Sequence, residues 1–172
     1  MKDKITIELN MHPLAWRVLK NNVLFDGIAF DIEKSWLYNL IIQNLQRKKT
    51  IMAGTLNRVS KKLVAGKIYI TKYDFDRFGG EIRIDNQAGI SQVICKYERD
   101  KLCKEIATAH VFSGIGRGVI IRYLMDKYDY EDDELKFATL KKHYQRHCIQ
   151  YEDSLSVDLM NLKKLKRTQK RY

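Results

Sequence analysis

Proline and cysteine are scarce in this chain, and each scarcity excludes something. Its single proline, Pro13, and its 9 glycines among 172 residues are too few for a collagen-like or disordered polypeptide. The three cysteines, Cys95, Cys103 and Cys148, are too few and odd in number for a disulfide framework. Free thiols fit a reducing compartment. No apolar stretch approaches the roughly 20 residues that a membrane helix needs. Met1-Lys2-Asp3-Lys4-Ile5-Thr6 has no apolar signal core. These absences together predict a cytoplasmic protein that does not enter a membrane. A long polar linker is also missing from the interior.

Hydrophobic residues make up 45% of the chain, enough for a real core. Against that background stands an excess of positive charge. Lys and Arg number 32 and Asp and Glu 21, a formal net charge of +11. Such self-repulsion is relieved by a polyanion, of which nucleic acid is the commonest.

Hydrophobic periodicity gives the organisation. Ile5, Ile7 and Leu9 alternate with polar neighbours over 4–10, which predicts a half-buried strand. Pro13 suits the first turn of a helix carrying Trp16, Leu19 and Val23, with a stop at Asp26-Gly27. Leu37, Leu40, Ile41 and Leu45 predict a second helix from Glu33 to about Lys48, and Leu56, Val59 and Leu63 a shorter one over 55–64, stopped by Gly66. Lys67–Thr71 and Glu81–Asp85 alternate around Phe78-Gly79-Gly80, which predicts a hairpin. Ile90–Tyr97 reads as a further strand. Asp100 is placed to cap a helix with Leu102, Ile106 and Ala109. Ser113-Gly114-Ile115-Gly116 breaks it, and a helix resumes over 117–128. The acidic run Glu131–Glu134 suits the start of a helix carrying Phe137, Leu140, Tyr144, Cys148 and Tyr151. A last helix carries Leu155, Leu159, Leu162 and Leu165 into a basic tail. The expected fold is α+β and helix-rich with a small antiparallel sheet, in three parts: 1–66, 67–130 and 131–172.

Strand, helix, turn and helix follow one another twice, over 4–48 and 90–128, as a pattern repeat with poor residue identity. The second copy, Ile90-Ser91-Gln92-Val93-Ile94-Cys95-Lys96 followed by a helix and then Phe112-Ser113-Gly114-Ile115-Gly116-Arg117-Gly118, resembles the ribbon-helix-helix DNA-binding family. The resemblance implies a ribbon of two paired strands entering the major groove, with Ser91, Gln92 or Val93, and Lys96 or its neighbours as readers. It also implies a phosphate held by the backbone around Gly116, Arg117 and Gly118. That family usually has small polar residues where Gly116 and Gly118 stand. One chain with two such copies would supply both halves of the ribbon; otherwise the hairpin at 67–85 is a competing partner for either strand. A homodimer is expected separately, since closed two-fold assemblies dominate.

Other candidates are weighed by their chemistry. The tail offers Lys163, Lys164, Lys166, Arg167, Lys170 and Arg171 with no acid after Asp158, and is the densest phosphate-binding candidate. Arg47-Lys48-Lys49 and Lys61-Lys62 are candidates to extend it. Tyr69, Tyr73, Phe75 and Phe78 interleave with Lys67, Lys72, Arg77 and Arg83, a composition that stacks bases or simply makes core and rim. His143 and His147 lie four apart beside Cys148, but Arg146 intervenes and no H-E-x-x-H motif forms, so no metal ligand and no cofactor is assigned. Asp126, Asp129 and the run Glu131–Glu134 lack the glycine of an EF-hand loop. Gly114, Gly116 and Gly118 lack the lysine of a phosphate-binding loop, and no nucleophile elbow exists. The expected function is DNA binding, as a transcriptional or plasmid-maintenance regulator, and not enzymatic. A scaffold for an acidic protein and a metal-dependent nuclease are the alternatives.

Overall fold

A computed structural model describes residues 3–33, 35–46 and 63–169, the last nine of these by their backbone. It is α+β and helix-rich, with one four-stranded sheet. Two compact units divide the chain, Met1–Lys96 and Tyr97–Tyr172.

The N-terminal unit is built on strand β1 (Lys4–Met11) and strand β4 (Val64–Thr71), paired antiparallel from Lys4↔Thr71 to Met11↔Val64. Two short strands, β2 (Leu24–Phe25) and β3 (Phe30–Asp31), complete the order β1-β4-β3-β2. β3 runs parallel to β4, so the sheet is mixed where antiparallel pairing alone was expected. The alternation read in the sequence is the burial pattern: Ile7, Leu9 and Met11 of β1 and Ile68 and Ile70 of β4 are buried, with Thr6, Glu8 and Lys67 exposed between them.

Helix α1 (Pro13–Asn22) starts as predicted. Proline occupies its first turn, and His12 Nδ1 accepts the Leu14 N–H at 3.2 Å. Leu14, Ala15, Val18 and Leu19 form its buried stripe. Helix α2 (Trp36–Ile42) is shorter than the predicted 33–48. The predicted stop at Gly66 is instead a position inside β4. A Cβ there would come within 2.5 Å of the Trp16 ring, whose Nε1–H bonds the Val64 carbonyl at 2.8 Å. That glycine admits an indole rather than ending a helix. Of the helix predicted over 55–64, residues 55–62 lie outside the described residues.

Two further expectations are overturned. The predicted hairpin does not form. Helix α3 (Lys72–Phe78), capped by Thr71 Oγ1 on the Asp74 N–H at 3.1 Å, follows β4 directly. Glu81 forms an isolated bridge to Gln46 in place of a hairpin strand paired with β4. The strand predicted over 90–97 is the middle of helix α4 (Ile84–Ser113), 30 residues long. Its buried stripe, Gln87, Ile90, Ser91, Ile94, Cys95 and Glu98, keeps helical spacing. Half of that stripe is polar, so an apolar count over a short window misses the period. Asp100 therefore lies within a helix and caps nothing.

The unit boundary falls within α4. In the C-terminal unit, α5 (Arg117–Lys127) follows the predicted break at Ser113–Gly116. The acidic run Glu131–Glu134 does not start a helix: it lies in turns, and α6 (Phe137–His147) begins after them with Lys136 as its N-cap. Cys148 ends α6, and α7 (Ile149–Gln169) carries the chain into the tail. Leu102, Cys103, Ile106, Ile120, Ile121, Leu124, Leu140 and Tyr144 are buried in this unit. Among the described residues, no helix is long and apolar enough to cross a membrane.

Candidate nucleic-acid interface

The residues predicted to read bases fall on α4, not on a strand. Ser91 is 3% exposed, and its Oγ accepts the His12 N–H at 2.8 Å. One turn earlier on the same helix, Gln87 Oε1 accepts the Asn10 N–H at 2.7 Å while its Nε2 donates to the Ile82 carbonyl at 2.6 Å. Among the described residues β1 is the edge of the sheet, so Gln87 satisfies a backbone donor that an edge strand leaves over, and Ser91 does the same for His12, the residue that follows β1 and caps α1. Ser91 is thereby committed to holding β1 and is not available to a base. Gln92 and Lys96 are exposed and lie one turn apart on a helical face. A ribbon built from 90–96 is excluded by this helix.

The residues predicted as a phosphate clamp lie at the start of α5, where the Arg117 side chain is engaged within the fold. Gly116 is the N-cap of α5, with no side-chain cap. Arg117, the first residue of α5, points its guanidinium at Glu152 of α7. Nε donates to Oε1 at 2.6 Å and a second N–H donates to Oε2. The phenol of Tyr144, itself 1% exposed, donates to the same Oε1. The Arg117 hydrogen bonds hold Glu152 below the usual carboxylate range, against the opposing effect of its burial. Burial, and then the bond to Glu152, pushes the Tyr144 phenol up. The charge of Arg117 is thus neutralised within the fold by a bidentate partner. A Cβ at Gly116 or Gly118 would meet nothing within 4 Å, so no packing demands glycine at either position.

The aromatic and basic cluster read as a hairpin splits between β4 and α3. Tyr69 donates to Asp26 at 2.8 Å. Phe75 packs on Gly80, where an added Cβ would lie 2.3 Å from the ring. Arg77 lies over the Phe78 ring at 4.9 Å and donates to Tyr73 at 3.3 Å. Most of this set serves structure. Tyr73, 67% exposed, is the most exposed of these aromatics.

In the tail, Lys163, Lys164, Lys166 and Arg167 belong to the backbone of α7, while Lys170 and Arg171 lie outside the described residues. Arg47–Lys49 and Lys61-Lys62 also lie outside them. The acids from Asp126 to Glu134 do not converge on a cation site. Among the described residues one group of potential metal ligands comes together, and none of these acids is in it.

Counted along the sequence, the charge is strongly partitioned. Segments 47–62 and 163–171 hold 12 of the 32 basic residues and none of the 21 acids. That leaves 20 bases against 21 acids on everything else. The signal for the Arg117–Glu152–Tyr144 network was absent from the sequence, because its members come from three helices. No protein-family model matches the chain, and no curated protein or solved structure is significantly similar to it.

Proposed function

We propose that this protein binds nucleic acid, DNA in the first instance, by gripping phosphates with two acid-free basic segments, 47–62 and 163–171. One observation carries the reading: the net charge of +11 resides wholly in those segments, and the remainder of the chain is close to neutral. Charge spread over a surface serves solubility, whereas charge gathered into short stretches meets a dense line of phosphates. Contacts of this kind hold any sequence and act by counterion release. Exposed Gln92 and Lys96 are the surviving candidates for contact with bases or sugars.

Fluorescence anisotropy against duplex DNA, single-stranded DNA and RNA across a salt series tests this. Each phosphate contact adds about 0.9 to the slope of log K against log salt on duplex DNA. Deleting 163–171 removes six cations and lowers that slope by about 5 if all six engage. Neutralising the six cations of 47–62 has a similar effect. No binding at low salt would overturn the reading.

One observation favours a second reading, a protein partner. Phe112, Ile115, Val119 and Tyr123 are 58%, 48%, 62% and 61% exposed. Complex formation that survives high salt would point there.

A further inference from the structure

Two thiols and an imidazole converge in the C-terminal unit. Cys103 stands on α4, His143 on α6, and Cys148 caps the end of α6. One donor atom from each lies within 4.8 Å of the other two. We propose that Cys103, His143 and Cys148 bind one Zn²⁺ ion per chain.

The donor set and spacing both favour zinc. Zn–S bonds of about 2.3 Å and Zn–N bonds of about 2.0–2.1 Å put tetrahedral donors about 3.4–3.8 Å apart. Donor separations need to shorten by at most about 1.0–1.4 Å, a matter of side-chain adjustment, to close the observed triangle onto such an ion. Thiolate and imidazole select zinc over the hard cations Mg²⁺ and Ca²⁺. His143 is also already oriented. Its Nε2 is 2.9 Å from Asp100 Oδ1, the carboxylate–imidazole pairing that fixes the tautomer of a metal-bound histidine. Asp100 lies one helical turn before Cys103 on α4, so one helix brings both the ligand and its neighbour's partner. With Asp100 on Nε2, Nδ1 is left for the ion, and the fourth position falls to a water molecule. Arg146, whose charge argues against a cation in the sequence, is exposed, whereas both sulfurs are buried.

Binding displaces one proton from each thiol and leaves the site with two thiolates on a dication, a neutral and buried arrangement. The ion would link α4 to α6 at the point where α7 begins. A small unit with few buried residues gains most from such a staple. Cys95, buried in the N-terminal unit, stands outside the group and is an internal control.

The test uses the full chain, reduced and freed of metal by a chelator. Titration with Co²⁺ should give the thiolate-to-cobalt absorption band at one equivalent, and Zn²⁺ should bleach it. Cys103→Ser and Cys148→Ser should each abolish the band, and Cys95→Ser should leave it intact. Asp100→Asn should weaken Co²⁺ affinity by about 10–100-fold. The wild-type titration decides even where a variant fails to fold. No band and no metal by native mass spectrometry overturns the proposal. So does a wild-type chain that takes up no metal but forms a Cys103–Cys148 disulfide in air.

Discussion

The two units bury polar groups for opposite purposes. Among the described residues, the N-terminal unit buries the neutral Gln87 and Ser91, and both serve backbone amides, Asn10 within the edge strand and His12 just after it. The C-terminal unit buries the acids Glu98 and Glu152, and both meet side chains: Tyr130 with Lys101, and Arg117 with Tyr144. The first kind of burial completes a sheet and depends little on pH. The second rests on long-range side-chain partners and, at Glu152, on protonation. A unit that stabilises itself through titratable groups is the one whose stability conditions can tune.

Four substitutions probe that contrast. The largest effect is expected for Leu19→Ala in the N-terminal unit, at a position 0% exposed, which should cost about 2–5 kcal/mol in urea unfolding. A loss under 1 kcal/mol would mean that the aliphatic core is not what holds this unit.

Glu152→Gln should cost about 1–3 kcal/mol. It leaves Arg117 without its charge partner, and the side chain of Arg117 is 46% exposed, which tempers the loss. The sign with pH follows from the depressed carboxyl. Its contribution is complete above the unfolded value of about 4.3 and is lost as pH falls through the lower folded value. The variant should therefore show a flatter acid limb than wild type. Equal limbs would remove Glu152 from the account.

Ser91→Ala should cost about 1–2 kcal/mol by orphaning the His12 N–H, with faster hydrogen exchange at that amide. Nucleic-acid affinity should not change. A variant that stays as stable as wild type but loses affinity would return Ser91 to the role of a reader.

The smallest effect has the opposite sign. Gly118→Ala lies inside α5 in open space and should stabilise the C-terminal unit by about 0.5–1 kcal/mol. If nucleic-acid binding falls at the same time, the bare backbone at 116–118 is a phosphate contact after all.

Where one side of an element is apolar, the sequence was sufficient to place it. β1 alternates cleanly, and α1 carries its own start signal in His12-Pro13. The break at 113–116 announces itself with two glycines. α4 was illegible because Gln87, Ser91 and Glu98 interrupt its stripe, and a short window over Ile90–Tyr97 then reads as a strand. Local alternation was given weight that belonged to a longer period. The hairpin is half right: 67–71 is the end of β4, but its partner is β1, and α3 follows where the turn is expected. The candidate metal ligands were half legible. His143 and Cys148 are close in sequence, but Cys103 joins them only through the packing of α4 against α6. By contrast, the basic segments were visible at once, since charge needs no fold to be counted.

The pairing of β1 with β4 also sets an order of events. β1 is complete at Met11, and its sheet neighbour among the described residues, β4, is complete at Thr71. At a synthesis rate of about 5–20 residues per second, an interval of roughly 3–12 s separates the two. During it, Ile5, Ile7, Leu9 and Met11 have no strand to lie against. The amides of Asn10 and His12 wait longer, until α4 has emerged as far as Ser91. A nascent chain of this protein thus carries an unpaired hydrophobic strand through much of its synthesis, a natural substrate for a chaperone that shields extended apolar segments.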